Sequence, residues 1–279
     1  MVIDKKLFAE FLREYPFQPA TAFWRMIEVT HILSQPFPEG FGLELGCGDG
    51  KVTQILMNKI GYRDLIGVDI DFEEVGLARQ LNIYKQVHLT CGSNIPEAND
   101  SFDFVFSNSV LEHVDKIDET IEEIARLLKP GGSLLITVPG KKFHDGLKGP
   151  LLPFGNRESY LKYLDEKLLH LRYWDEYDWQ KTLAVHGIKI LQTTSYFNIP
   201  EVQRWENIAR FTSGVLCEFF GRKKKPIEIQ RILGLRKSKT KIPLILANIL
   251  SNLFLLNLNN MNKLENKLKV CLMIEAVKL

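Results

Sequence analysis

Cysteine is scarce in this sequence of 279 residues, and its four cysteines, Cys47, Cys91, Cys217 and Cys271, lie far apart. None belongs to a Cys-x-x-Cys pair, so the sequence shows neither a zinc-ribbon pattern nor a disulfide framework. We therefore expect no metal site and a reducing compartment. The amino terminus lacks the apolar run of a secretion signal, and we expect a cytoplasmic protein.

The chain also lacks a strong excess of charge, because its formal net charge is only +2. The charge is unevenly distributed, since residues 222–241 contain nine Lys or Arg and one Glu, which leaves the remainder acidic. With 45% hydrophobic residues, the chain is long enough for one full core and some additional segments.

The most informative segment is 43–50, with the sequence LELGCGDG. Apolar residues lead into Glu44 and then into three glycines at alternate positions, just before a helical pattern. This order predicts a strand that ends in a tight turn, whose bare backbone can approach a ligand. A second apolar segment, 65–69, ends in Asp69, whose carboxylate can accept hydrogen bonds from a ribose diol. Together the two segments predict a site for a nucleoside-containing cofactor.

Two other nucleotide-binding patterns do not match. The nicotinamide fingerprint would need its third glycine at Lys51, and a phosphate loop would need Ser or Thr at Val52. The order acidic-x-Gly-x-Gly-x-Gly instead resembles motif I of the class I S-adenosylmethionine-dependent methyltransferases. Three further segments follow in that family's order: a turn and strand at 99–106, the loop SNSVLEHV at 107–114, and a helix, Pro-Gly-Gly turn and strand at 127–136. They resemble the bacterial branch with a Ser-Asn-x-Val-Leu-Glu-His loop, which acts on small-molecule, lipid and glycan acceptors.

The resemblance implies a site for S-adenosylmethionine, with S-adenosylhomocysteine as the product. Glu44 would then contact the α-amino end, directly or through water, and the backbone of 46–48 would close on the methionine and ribose portions. Asp69 would hold the ribose hydroxyls. Where relatives often have an Asp after the third strand, Ser93, Asn94 or a backbone group would contact the adenine amino group. The expected cofactor-binding residues are Glu44, Gly46, Cys47, Gly48, Asp69, Ile70 (against the adenine ring), Ser93, Asn94 and Asn108.

Strand and helix patterns alternate along the chain and predict an α/β fold. We expect an open, doubly wound, Rossmann-like sheet of seven strands with the last strand antiparallel. Residues 1–40 are predicted to form lid helices, and residues 41–196 plus 268–279 the methyltransferase core. About 70 residues separate the last two strands, where the family has a short hairpin, and they predict a helical cap or insert at 197–267. The loosely patterned segment 140–156 is a candidate substrate loop.

His113 is the candidate catalytic base, because a neutral imidazole can take up a proton near neutral pH. A role for the Glu112-His113 pair in shaping its loop remains the alternative, because relatives with different substrates share it. DNA amino-methyltransferases have an Asn-Pro-Pro-Tyr motif at the position of Asn108, and this motif holds a flipped base. Here the residues after Asn108 include neither proline nor an aromatic residue, so we expect no nucleic-acid substrate. The candidate acceptor-contacting residues are Tyr15, Trp24, Arg25, His144 and His170.

The segment 242–258 is strongly apolar, but its 17 residues are too few to span a bilayer. It follows the basic stretch 222–241, and basic residues beside an amphipathic helix are typical of attraction to an anionic membrane. One hypothesis is therefore peripheral contact with the inner face of the membrane through 222–258. The other is a cap or dimer helix that packs on the enzyme.

The sequence thus predicts a methyltransferase that uses S-adenosylmethionine on a small-molecule or lipid- or glycan-linked acceptor, by in-line displacement at oxygen. Two alternatives remain open. An aminopropyl-type transferase on the same fold would need acidic residues near the fourth strand, where 107–109 offers none. A catalytically inactive binding or scaffold subunit would need neither the glycine turn nor Asp69.

Overall fold

A computed structural model describes residues 3–150, 155–214, 228, 231–232, 241–256, 258 and 268–279. These residues contain one sheet of seven strands in the order β3-β2-β1-β4-β5-β7-β6. Strands β1 to β5 pair in parallel, and β7 runs antiparallel to β5. The predicted fold class is confirmed. The strands are β1 Phe41–Leu45, β2 Asp64–Asp69, β3 Gln86–Leu89, β4 Phe102–Asn108, β5 Leu128–Pro139, β6 Ile188–Asn198 and β7 Lys269–Lys278.

Helices alternate with these strands along the described ranges of the chain. Asp175 is the N-cap of α8 and forms a capping box with Asp178. A π-helical turn, Arg210–Gly214, follows α9. The helices are α1 Lys5–Glu14, α2 Pro19–Ile32, α3 Lys51–Ile60, α4 Phe72–Arg79, α5 Ile117–Leu127, α6 Phe143–Gly146, α7 Arg157–Leu168, α8 Glu176–Val185, α9 Ile199–Ala209 and α10 Leu244–Phe254.

The strand order places the candidate site. From β1 the chain continues outward through β2 and β3, and then returns to the other side of β1 to form β4. The connections from β1 and β4 therefore leave in opposite directions, and in open parallel sheets a ligand crevice lies at this switch point, at the carboxyl ends of the strands. The apolar stripe of α5 is buried against the sheet and fixes this arrangement, as its spacing predicts.

The chain divides into two compact units. One contains residues 32–143, 170–196 and 270–279 and includes most of the sheet. The other contains residues 1–31, 144–169 and 197–269. It includes residues 144–169, which the sequence predicts to lie in the methyltransferase core.

A buried carboxylate organises the second of these units. Glu206 on α9 accepts hydrogen bonds from the backbone amides of Lys148 and Gly149, at 2.7 and 3.2 Å. The Tyr160 hydroxyl donates to it at 2.6 Å, and Arg210 forms an ion pair with it at 2.6 Å. Burial and the neighbouring Glu206 carboxylate raise the pKa of Tyr160 to about 12. This network explains why 144–169 joins α9, since each donor would otherwise be desolvated without a partner.

Within the apolar segment 242–258, Leu244–Phe254 form α10, which packs on α1 within the same unit. Of the basic stretch 222–241, only Glu228, Arg231, Ile232 and Lys241 belong to the residues that the structure describes. Among the described helices, none has both the length and the apolar character required to cross a bilayer.

Glu206→Gln is expected to lower the free energy of unfolding by about 3 kcal/mol, because it leaves the partly buried Arg210 without its carboxylate. Tyr160→Phe removes a single hydrogen bond to the same carboxylate and should cost only about 1 kcal/mol. Urea titrations followed by circular dichroism measure both variants. Equal losses for the two substitutions would contradict the central place given to Glu206.

Candidate functional site

The turn after β1 is fastened to the carboxyl end of β2 by its own backbone. The amides of Gly46 and Cys47 donate to the carbonyl of Val68, at 2.7 and 2.9 Å. The amide of Gly48 donates to Oδ2 of Asp69 at 2.8 Å. Gly46, Gly48 and Gly50 all have positive φ, at 77°, 53° and 76°, which is why glycine occupies these positions.

Two of these glycines differ in the space around them. A Cβ at Gly46 would lie 2.2 Å from a methyl carbon of Val110, so the backbone there packs directly on the loop after β4. A Cβ at Gly48 would meet no atom within 4 Å. The turn is therefore closely packed on one side and open on the other, as a backbone that receives a ligand requires.

Glu44, at the carboxyl end of β1, is buried and bonded to its own chain. Its Oε1 accepts a hydrogen bond from Thr53 Oγ1 at 2.6 Å, and its Oε2 accepts one from the Tyr84 hydroxyl at 2.6 Å. Burial, followed by the Glu44 carboxylate, raises the pKa of Tyr84 well above its ordinary value. Glu44 thus holds α3 and the segment before β3 at the end of β1. Its predicted contact with the cofactor's amino end stays a prediction.

Cys47 lies in the turn with a buried thiol. Burial raises the pKa of this thiol above its usual range, and the Glu44 and Asp69 carboxylates raise it further. The thiol therefore stays protonated and is a poor nucleophile. What Cys47 offers to a ligand is a small side chain and a backbone fixed by Val68.

Asp69 at the end of β2 presents a carboxylate that the backbone holds in place. Its Oδ1 accepts from the amide of Asp71 at 2.9 Å, and its Oδ2 accepts from Gly48. Each carboxylate oxygen keeps a second lone pair, which suits the two hydroxyls of a ribose. The side chain of Ile70 is 76% exposed beside it, which provides the apolar surface that a purine ring would cover.

Ser93 and Asn94 lie in the turn after β3, which Thr90 attaches to the end of β2. The Thr90 amide donates to the carbonyl of Asp69 at 3.1 Å, and the Thr90 hydroxyl donates to the carbonyl of Asn94 at 2.6 Å. The structure thus places both predicted adenine-contacting residues at the same edge as Asp69. Their contact with adenine stays a prediction.

Asn108 is buried at the carboxyl end of β4. Its Oδ1 accepts from the hydroxyl of Thr137 on β5 at 2.6 Å. The next residue, Ser109, has a φ of 54° and donates its amide to the Thr137 carbonyl at 2.9 Å. In this structure Asn108 fixes the start of the loop that contacts Gly46, and its expected cofactor contact is untested.

The loop after β4 brings together two histidines that the sequence does not pair. The rings of His113 and His170 lie 5.0 Å apart, and Glu112 Oε1 lies 3.7 Å from His113 Nε2. His170 Nδ1 is 2.9 Å from the Tyr173 hydroxyl. The carbonyl of Glu112 accepts from the amide of Leu171 at 2.9 Å, which joins the two segments.

Glu112, His113 and His170 together, called the imidazole cluster below, offer one potential metal-ligand atom each, all within 4.8 Å of one another. The expectation that the protein holds no metal is untested. Tyr173 and the pairing of the histidines were missed by sequence reasoning, because 57 residues separate His113 from His170.

The remaining predicted acceptor residues belong to the other unit. Trp24 Nε1 and the Arg25 guanidinium each donate to the buried carboxylate of Glu28, at 2.7 Å. Tyr15 is buried and stacks on Phe11, with ring centroids 6.5 Å apart. His144 Nε2 lies 2.9 Å from Asp165 Oδ1. These contacts account for the local packing, and the acceptor roles of Tyr15, Trp24, Arg25 and His144 stay predictions.

A family model described as "Methyltransferase domain" matches residues 20–193, which is more than half of the chain. The chain belongs to this family. It is similar to a demethylmenaquinone methyltransferase of Lactobacillus johnsonii, with 30% identity over 66% of this chain and 76% of that protein. It is also similar to a ubiquinone biosynthesis O-methyltransferase of Sinorhizobium fredii, with 26% identity over 58% of this chain. The match spans 65% of that protein, which is less than two thirds of its length.

A solved structure of an S-adenosylmethionine-dependent methyltransferase from Thermotoga maritima shares the fold, with a TM-score of 0.53 at 18% identity over 98% of both chains. This structural likeness shows the fold alone. The family match and the named relatives confirm the predicted enzyme class and cofactor: this is an S-adenosylmethionine-dependent methyltransferase. The residues present fit that cofactor, because the open side of Gly48, the remaining lone pairs of Asp69 and the exposed Ile70 lie at one edge of the sheet.

Gly46→Ala is expected to lower the free energy of unfolding by about 2–4 kcal/mol. The left-handed backbone and the collision with Val110 both oppose a Cβ there. Gly48→Ala is the matched control, since its backbone is also left-handed but its Cβ would meet open space, and about 1 kcal/mol is expected. Thermal unfolding of the two variants without ligand makes the comparison. Equal destabilisation would show that the packing of Val110 on the turn is unimportant.

Proposed function

We propose that this methyltransferase acts at a hydroxyl oxygen of a small-molecule or lipid- or glycan-linked acceptor. The observation that carries the proposal is the imidazole cluster, whose Glu112 and His113 lie on the loop after β4. That loop packs on the glycine turn through Val110 and Gly46, so a proton acceptor lies in the segment adjoining the proposed cofactor site.

Within this proposal, the glycine turn and Asp69 hold the donor. The two oxygens of Asp69 receive the ribose hydroxyls, Ile70 lies against the adenine ring, and the backbone of 46–48 follows the methionine portion. The cofactor supplies an electrophilic methyl carbon on a cationic sulfur. Glu44 supports the turn, because its bonds to Thr53 and Tyr84 fix the elements on either side of it.

His113 takes the proton of the acceptor hydroxyl. Its side chain is 36% exposed and so is accessible to a substrate. The Glu112 carboxylate, 3.7 Å away, stabilises the imidazolium that results. His170, held by Tyr173, packs beside the ring and limits its orientations. A positioned base of this kind contributes about 10²- to 10⁴-fold to a rate.

The name of one relative supports transfer to oxygen, since that protein is a ubiquinone biosynthesis O-methyltransferase. A second relative is a demethylmenaquinone methyltransferase, and its name specifies no oxygen acceptor. Both names refer to quinones, whose rings carry an apolar tail. We therefore favour a phenolic or quinol acceptor with an apolar tail over a free polar metabolite.

A direct experiment incubates the protein with methyl-labelled S-adenosylmethionine and three acceptors: a catechol, the same catechol with a prenyl tail, and a primary amine of similar size. Mass spectrometry locates the transferred methyl group. The proposal expects an oxygen-linked methyl, with more product on the tailed catechol. Methylation only at nitrogen or carbon, or faster turnover of the amine, would refute it.

Asp69→Asn is expected to weaken S-adenosylhomocysteine binding about 10- to 100-fold, because an amide offers one acceptor oxygen in place of two. Asp64→Asn is the control at the opposite end of β2, where Asp64 forms an exposed ion pair with Lys85. Isothermal titration calorimetry measures the two affinities. If both variants bind like the unmodified chain, Asp69 does not hold the ribose.

His113→Gln is expected to lower kcat about 10²-fold or more, with the affinity for S-adenosylhomocysteine unchanged. It should also remove the acidic limb of the pH–rate profile, because protonation of the base would no longer limit turnover. His186→Gln, at the end of α8, serves as the control. A variant with the full rate, or one that retains the acidic limb, would exclude His113 as the base.

A further inference from the structure

The outward face of α10 is apolar and exposed. Ile245, Ile249 and Leu253 follow one another at helical spacing, and their side chains are 76%, 58% and 55% exposed. Leu246 and Leu256 extend the same face and are also exposed. A surface helix normally presents polar residues to water, so a continuous aliphatic face of this kind indicates an interaction site. The five residues are called the α10 face below.

The opposite side of α10 fixes the helix to its own unit. Its buried residues are small, Ala247 and Ser251, which allows close approach to α1. Ser251 Oγ donates to the carbonyl of Lys5 at 3.0 Å, and the rings of Phe8 and Phe254 lie 6.3 Å apart. Because α10 uses its small residues for internal packing, its large aliphatic residues remain at the surface.

Two cations contact the segment that forms the α10 face, and Lys241, just before α10, is paired with Glu14. Residues 242–262 contain no charged side chain at all. Lys5 borders the face, with its ammonium 3.2 Å from Asn252 Oδ1, and Lys6 is exposed next to it. Arg204 donates to the carbonyl of Leu256 at 2.7 Å, at the far end of the helix. In the sequence, the basic stretch 222–241 ends immediately before α10.

We propose that the α10 face docks on the surface of an anionic bilayer, with the aliphatic side chains at the level of the acyl chains and the cations against the headgroups. Aliphatic residues bordered by lysine and arginine are the requirement for such binding. A second copy of the chain fits less well, because pairing two α10 faces would bring the cations Lys5, Lys6 and Arg204 of both copies together. The inference concerns where the protein binds and does not depend on the acceptor or on the role of His113.

Vesicle co-sedimentation of the full chain tests the proposal, with no donor or acceptor present. One set of vesicles contains equal amounts of phosphatidylglycerol and phosphatidylcholine, and the other contains phosphatidylcholine alone. The unmodified chain should bind the anionic vesicles, and less so as salt is raised. The double variant Ile249→Asn/Leu253→Asn should lower the vesicle–water partition coefficient at least about tenfold. The reason is that it removes the favourable free energy of transferring two aliphatic side chains from water into the bilayer. Asn248→Gln, on the same helix, should bind like the unmodified chain.

Two further measurements keep the result unambiguous. Stabilisation of the double variant by S-adenosylhomocysteine, equal to that of the unmodified chain, shows that the protein remains folded. The tryptophan fluorescence that Leu253→Trp adds to that of the unmodified chain should shift to shorter wavelength when anionic vesicles are added, and should not shift with phosphatidylcholine vesicles. Absence of binding to anionic vesicles at low salt overturns the proposal. So does a dimer seen by sedimentation velocity that the double variant abolishes while vesicle binding is unaffected, because the α10 face would then be a contact between copies.

Discussion

A carboxylate is buried where β1 ends, and its two oxygens accept hydrogen bonds from Thr53 and Tyr84. A buried charge is tolerated only with such donors, so Glu44 holds α3 and the segment before β3 against the end of β1. The glycine turn between Glu44 and Thr53 then begins and ends at fixed points. Its amides are directed at Val68 and Asp69, and its outer side is open. The proposed cofactor site is the consequence of this one buried group.

The loop after β4 packs on the same turn through Val110. Gly46 has no side chain, and Val110 occupies the space that a Cβ would take. The loop that contains Val110 continues directly into Glu112 and His113, and Leu171 attaches it to the segment that contains His170. In the proposed function, the turn that holds the donor and the loop that positions the base are therefore connected by direct packing, at the switch point of the sheet.

What the sequence could predict is what depends on near neighbours along the chain. The glycine turn, the apolar stripe of α5, the cap at Asp175 and the strand at 269–278 each carry their signal within about ten residues, and the structure has all four. Helix α7 gave no signal, because it has no buried residue and hence no apolar stripe. Contacts between residues far apart in the sequence were also not predicted. Tyr84 meets Glu44 across 40 residues and Glu206 meets Lys148 across 58, and no local pattern encodes either contact.

The central claim is that Asp69 and the turn held by Glu44 form the binding site of the methyl donor. A crystal structure of the chain grown with S-adenosylhomocysteine tests it most directly. The account predicts both ribose hydroxyls on the carboxylate of Asp69, the adenine ring over Ile70 and the homocysteine portion along residues 46–48. Density for the nucleoside at any other edge of the sheet, or a ribose bound by other side chains with Asp69 facing away, would contradict it.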